Sequence, residues 1–291
     1  VAAPGIAPRW LEQALADSGI AADEAARLLD RAPLDIRVNT LKADRAVLDL
    51  PLAGEALLAP QGLRLPHGTN VESWEAYQAG QIEVQDGGSQ LTCLAVAAQS
   101  GETVIDLCAG AGGKTLALAA AMAGRGRLIA CDTDRTRLSR LTPRAERAGA
   151  GLIEMRLLNP NRELDALADL AGQADAVLVD APCSGTGTWR RNPEARWRLS
   201  PTEVARYAAL QSRLLDVAAG LVRVGGRLVF VTCSLLDAEG ANQVDAFLSR
   251  NPGWQVEAPG IGAGVPRGQG LRLSPWHDGT DGFFVARLRK L

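Results

Sequence analysis

The chain is short of the residues that build metal centres and disulfide frameworks, with two His and five Cys among 291 residues. Cys93, Cys108, Cys131, Cys183 and Cys233 are odd in number, widely spaced and without a Cys-x-x-Cys pair. That pattern argues against both a disulfide scaffold and a zinc site, and His67 and His277 stand too far apart to change it, so no metal is expected. No apolar run approaches the roughly 20 residues that span a bilayer, so no membrane partner is expected. No signal peptide is visible in a chain that begins at Val1, and the cytoplasm is the expected compartment. A surplus of one charge is missing as well: 31 Lys and Arg against 33 Asp and Glu leave a net charge of −2, so the whole molecule is no electrostatic magnet for nucleic acid. Lysine itself is scarce, three residues against 28 Arg. Arg is the better phosphate and stacking group, but GC-rich coding gives the same bias and carries more weight.

What is present begins with length, which suits one large domain or a domain of about 200 residues with a smaller companion. Residues 1–80 lack the rhythm of the remainder. Trp10, Leu11, Leu15 and Ile20, then Ala25, Leu28 and Leu29, predict two short amphipathic helices, and Leu34 to Leu41 alternates as a half-buried strand does. A small α+β N-terminal domain is expected there, with Gly80–Gln90 as a connector and a helix from about Ser89 to Gln99. From Thr103 the pattern becomes strand, glycine turn, helix: Thr103 to Cys108, Arg127 to Asp132, Leu152 to Leu158, Ala176 to Asp180 and Arg227 to Thr232. Helices are expected from Lys114, from about Asp134 to Ala148 and from about Thr202 to Leu221, with a last strand at Gly282 to Leu288. Strands alternating with helices predict an α/β domain over 81–291 with a parallel, doubly wound sheet.

Two strand ends carry thiols, Cys183 after Asp180 and Cys233 after Thr232. Ligands of open α/β sheets bind at such carboxyl ends, so the two would face one crevice, although a cysteine is often only a small buried hydrophobe. The loop Cys108-Ala-Gly-Ala-Gly-Gly-Lys114 admits three nucleotide readings. A P-loop needs Gly where Cys108 stands, and a dinucleotide fingerprint needs Gly where Thr115 stands, so both fail. The third form resembles the first motif of S-adenosylmethionine-dependent methyltransferases, with Asp106 leading into small residues, Gly110 and Gly112. That resemblance implies cofactor contacts along Cys108, Ala109, Gly110, Ala111, Gly112, Gly113 and Lys114, at a helix N-terminus suited to a carboxylate. Asp132, ending the second strand, is placed to accept from ribose hydroxyls, its alternative being a cap on the following helix. Cys108 and Cys131 read as small core residues.

Asp180-Ala-Pro-Cys-Ser-Gly-Thr-Gly187 with Thr232-Cys-Ser234 resembles the Nop/Sun family of RNA cytosine-5 methyltransferases. So do Pro33 to Thr40, Gln85 to Gln90, Arg190-Arg-Asn-Pro193 with Trp197, and Asp281-Gly-Phe-Phe284, over nearly the whole chain, the bacterial branch modifying 16S ribosomal RNA being nearest. The resemblance implies a Rossmann-like class I methyltransferase sheet with S-adenosylmethionine as cofactor and RNA as partner, ribosomal first and transfer RNA second. It also implies Cys233 as the nucleophile adding to carbon 6, Cys183 assisting release of the methylated base, and Asp180 holding the cytosine edge beside the cofactor. Carbon 5 of cytosine is too weak a nucleophile until a thiolate adds at carbon 6, which is why a cysteine is required.

Three departures stand out. Ala111 replaces the Pro usual before the paired glycines, Asn159 aligns where an acid near the adenine is usual, and the chain has no room for the helical RNA-binding domain of the 16S branch, as in a trimmed or shorter relative. For RNA, Trp189 to Arg198 combines four Arg and two Trp, and Arg190, Arg191, Arg196 and Trp197 are the expected contacts. Arg137, Arg140, Arg144 and Arg147 share a helix face that reads as solvated. A monomer is expected. Two rivals keep part of the pattern: a methyltransferase for another acceptor, which has no use for Cys233, and a non-catalytic ribosome-assembly factor, to which Asn159 alone points.

Overall fold

A computed structural model of the protein describes residues 5–291. Four strands form a small antiparallel sheet: β1 (Leu34–Val38), β2 (Glu55–Ala56), β3 (Gly62–Leu65) and β4 (Ile82–Val84), in the order β2-β3-β1-β4. Over Ile82–Val84 the expected connector is therefore a strand, pairing with β1 through Ile36, Arg37 and Val38. A local core of Ile36, Val38, Leu65, Val71, Trp74 and Ile82 holds this sheet together.

The two N-terminal helices, Arg9–Asp17 and Ala22–Arg27, do not join that core. Their Leu11, Leu15 and Leu28 pack with Trp189, Val204, Leu235 and Leu236, beside the loops that carry the two thiols. The guanidinium of Arg272 donates to the carbonyl of Ser18 at 2.6 Å, closing the helix pair onto the large sheet. The first 80 residues thus supply two separate structures.

Nine strands make the large sheet: β5 (Thr103–Asp106), β6 (Arg127–Asp132), β7 (Ile153–Leu157), β8 (Ala174–Asp180), β9 (Val222–Thr232), β10 (Trp254–Glu257), β11 (Val265–Arg267), β12 (Gly270–Leu273) and β13 (Phe283–Lys290). The order is β11-β12-β13-β9-β8-β5-β6-β7, with β10 also on β13. The five strands from β5 to β9 are parallel, whereas β10 to β13 are antiparallel additions at one edge. After β7 the chain crosses back to the other side of β5, so the sheet reverses direction between β5 and β8. Such a switch point opens a crevice at the carboxyl ends, and the ends of β5, β6, β8 and β9 all lie there.

Both faces are buried, as in parallel sheets generally. Ile105, Ile129, Val177, Val179 and Phe230 belong to one core cluster, and Val104, Leu128, Ala176, Leu178, Val229 and Val231 to the other. Each fully buried Val, Leu, Ile or Phe side chain among these contributes about 1.5–3 kcal/mol. The expected single helix after β6 is two, Arg135–Ser139 and Leu141–Ala148. Pro143 explains the break, because it has no N–H for the Ser139 carbonyl and its ring clashes there.

Two residues of that second helix correct the expectation of a solvated arginine face. Arg144 donates to the buried carboxylate of Glu83 on β4 at 2.9 Å, and Arg147 pairs with its other oxygen while its guanidinium lies 4.0 Å from the Tyr77 ring. At Gly187 and Gly282 two backbones meet without side chains. Gly282 N–H donates to the Gly187 carbonyl at 2.8 Å, and a Cβ on Gly187 would sit 2.2 Å from the Gly282 oxygen. No described helix is long and apolar enough to cross a membrane, and no described cluster of His, Cys, Asp and Glu is placed to hold a metal ion.

Candidate active site

A cavity of 540 Å³ lies over the carboxyl ends of β5, β6, β8 and β9. Its walls include Leu107 to Ala111 from the loop after β5, Asp132 to Asp134 after β6, Asp180 to Cys183 after β8, and Cys233 after β9. Four strand ends thus converge on one space. Helices follow β5 and β6 closely, so their backbone N–H groups are turned toward the opening.

The loop after β5 is built by glycine and by one carboxylate. Gly110 and Gly112 both have positive φ, 55° and 85°. A Cβ on Gly112 would meet Leu141 at 2.1 Å, so that glycine serves close packing against the helix behind it. Asp132 accepts from Gly110 N–H and from Asp134 N–H, both at 2.8 Å, and so fixes the loop. The next helix is capped instead by Asp134, which accepts from Arg137 N–H at 3.0 Å. Asp106 lies beneath, fully buried. Desolvation pushes its carboxyl up to about 7, against the hydrogen bond from Thr115.

At the opposite wall, the sulfurs of Cys183 and Cys233 are 3.3 Å apart. The hydrogen bond shared with Cys233, together with burial, pushes the Cys183 thiol well above its ordinary value. Asp180 stands between thiols and loop, its Oδ2 accepting from Lys114 Nζ at 2.7 Å. Burial pulls the Lys114 ammonium down, but the charge of Asp180, with smaller contributions from Cys93 and Cys233, more than reverses this and keeps it protonated.

Four expected cofactor contacts lie off the cavity wall. Gly112 faces Leu141, Gly113 opens the helix Gly113–Ala121, and Lys114 is spent on Asp180 with its ammonium 5.2 Å from the Phe283 ring. Asn159 is exposed, while its neighbours Leu158 and Pro160 line the cavity. The acid on that side is Glu163. Burial raises its carboxyl, yet Arg213 at 2.6 Å and the backbone N–H of Asn161 hold it below the usual carboxylate range. Nothing local marks Glu163 or Arg213, because they meet only where the helix Pro201–Leu221 packs on the turn after β7. Cys131 is buried as expected, whereas Cys108 lines the cavity.

The expected RNA contacts also divide. Arg190 is 6% exposed and donates to Asp281 at 2.9 Å; Arg191 pairs with the same carboxylate and with Asp86 at 3.2 Å. Asp86 in turn caps the helix Gly87–Leu94 and accepts Asp281 N–H at 3.1 Å. Arg190 is therefore an internal fastener, and Arg191 a fastener at the surface, its side chain 35% exposed. Trp189 is wholly buried, leaving Trp197, at 56% exposed, and Arg198 on the surface. A groove of 530 Å³ runs beside them, lined by Ser184, Arg191, Asn192, Arg198 and Tyr207.

The family model described as "16S rRNA methyltransferase RsmB/F" matches residues 93–289. The chain is 32% identical over 298 residues to the probable ribosomal RNA small subunit methyltransferase B of Bacillus subtilis, covering 97% of this chain and 66% of that protein. It is 38% identical over 292 residues to ribosomal RNA small subunit methyltransferase B of Xylella fastidiosa, covering 97% and 68%, and 35% identical to a Synechocystis relative of which it spans 60%. The chain thus spans about two thirds of these curated relatives. Among solved structures, PH0851 superposes with a TM-score of 0.87 at 32% identity, over 98% of this chain and 66% of that one. NSun6 from Pyrococcus horikoshii, crystallised with SFG, superposes at 0.81 over 97% and 98% with 21% identity, a likeness of fold.

Proposed function

Since the chain belongs to the 16S rRNA methyltransferase RsmB/F family, we propose that it methylates carbon 5 of a cytosine in ribosomal RNA, with S-adenosylmethionine as methyl donor. The observation that carries this reading is the pair of sulfurs 3.3 Å apart on the wall of the cavity that the glycine loop borders. The cavity fits the cofactor. Ala109 to Ala111 keep one wall low, Asp132 offers a carboxylate to a ribose, and Leu158, Pro160, Leu210 and Leu214 provide apolar faces for an adenine. When bound there the cofactor supplies an electrophilic methyl group.

The chain's own residues supply the remainder. Cys183, its thiol pushed up, holds its proton, and Cys233 supplies the attacking thiolate. That thiolate forms a bond to carbon 6 of the cytosine, and the electrons of the carbon 5–carbon 6 double bond become available at carbon 5 to take the methyl group. Asp180, held by Lys114, presents a carboxylate to the amino edge of the base. Loss of the carbon 5 proton to solvent water returns its electron pair to the carbon 5–carbon 6 double bond and expels Cys233 as a thiolate, with Cys183 next to the departing sulfur. RNA is held by the surface around Trp197 and Arg198, beside the groove that begins at Ser184.

The two cysteines should therefore fail differently. Cys233→Ala should give neither product nor a covalent complex, whereas Cys183→Ala should accumulate a denaturant-resistant protein–RNA species. A denaturing gel with labelled ribosomal RNA reads both outcomes. Trapping by the Cys233 variant would reverse the two roles, and full activity in both would remove covalent catalysis.

A further inference from the structure

Beneath the two thiols lies a carboxylate that the chemistry above does not use. Glu239 ends a short 3-10 turn, Asp237–Glu239, and is completely buried. Its Oε1 accepts from Ser184 N–H at 2.9 Å and from Gln211 Nε2 at 3.2 Å, while its Oε2 accepts from the Ser234 hydroxyl at 2.7 Å and from the Ser184 hydroxyl. Ser184 follows Cys183, and Ser234 follows Cys233. Gln211 also donates to the carbonyl of Pro182, the residue before Cys183, at 2.9 Å.

We propose that Glu239 is the positioning residue for the two thiols: one carboxylate ties the loop after β8 to the loop after β9 and so sets the sulfur-to-sulfur spacing. The inference rests on the covalent methylation proposed above. Burying a carboxylate is costly unless it is fully hydrogen-bonded, and an apolar side chain would fill the same space at less cost. What an apolar side chain lacks is acceptors, and only a carboxylate offers two oxygens that accept twice each. A network satisfied in this way holds its members rigidly. All four donors are neutral, so the negative charge is not cancelled by a bonded cation. It adds to the Cys233 hydrogen bond and burial in keeping the proton on Cys183.

Cross-linking reads the geometry without relying on turnover. Diamide, an azo oxidant, takes up the two electrons and two protons released as Cys183 and Cys233 form a disulfide, and mass spectrometry identifies the linked peptides. Wild-type protein should cross-link readily. Glu239→Ala should slow the reaction at least tenfold and lower kcat by on the order of a hundredfold, the usual consequence of ~1 Å misplacement of reacting groups. S-adenosylmethionine affinity should stay within about twofold of wild type, because Glu239 lies outside the cavity lining. Glu239→Gln, which keeps one double acceptor, should recover part of the loss. Cross-linking of Glu239→Ala at the wild-type rate overturns the proposal. If Glu239→Ala loses cofactor binding altogether, Ser234→Ala leaves the Glu239 carboxylate in place and removes its arm to the Cys233 loop, together with that hydroxyl's contacts to Ser184, Thr186 and the Leu236 N–H, and the same comparison decides. Cross-linking that depends on Glu239 in a wild-type protein that methylates no RNA would remove the functional reading and leave the positioning intact.

Discussion

Asp106 shows how much of this site is electrostatic. Its Oδ2 accepts from Thr115 at 2.7 Å, its Oδ1 has no partner, and burial raises the carboxyl from 3.8 to about 7. Between those values the folded chain binds a proton that the unfolded chain has released, so this residue's contribution to stability falls as pH rises through the window and levels off above it. Asp106→Asn keeps the shape and removes the titration. Urea denaturation at pH 5 and pH 8 should show the variant gaining on wild type at the higher pH; an equal difference at both would mean that Asp106 is ionised throughout.

Among the elements, the small sheet is fastened to the large one by ions. Glu83 on β4 is buried between Arg144 and Arg147, which remain 26% and 20% exposed at their side chains. Glu83→Ala should cost about 3 kcal/mol, the lower end for breaking a buried pair because both arginines can recover some water. Thermal or urea denaturation measures it, and a loss under about 0.5 kcal/mol would place the pair among ordinary surface bridges. The same contact explains what the sequence conveys and what it withholds. Strands β5, β6, β8 and β9 and their helices are legible because apolar runs and glycine turns are local signals, and the thiols and Asp132 are legible because they sit at strand ends. The break at Pro143 was legible in principle. Glu83 with Arg144, Glu163 with Arg213, and the pairing of β10 with β13 span longer stretches of chain, and nothing local specifies them. The spacing of Arg144 and Arg147 marks a helix face but not what covers it.

For the molecule as a whole, the arginines divide into buried fasteners such as Arg190 and surface groups such as Arg198, which pairs with the equally exposed Glu194, and the proposed RNA contacts lie among the surface groups. Arg190→Ala should destabilise the fold while leaving the salt dependence of RNA binding unchanged, because it removes one of the two cations paired with buried Asp281. Arg198→Ala should lower the slope of log affinity against log salt by about 1, as loss of one phosphate contact does, and Trp197→Ala should cost about 1–3 kcal/mol of stacking. Filter binding across a salt series separates the three, and an unchanged slope for Arg198→Ala would move the RNA path elsewhere on the surface. The crossing of Gly187 and Gly282 bears on how such a molecule can vary. Each glycine fills the room that a side chain on the other would need, and each already carries the smallest substituent available. A change at one cannot be offset by shrinking the other, so in evolutionary terms the pair is a single locus with no neutral step out of it, although its two halves lie far apart in the chain.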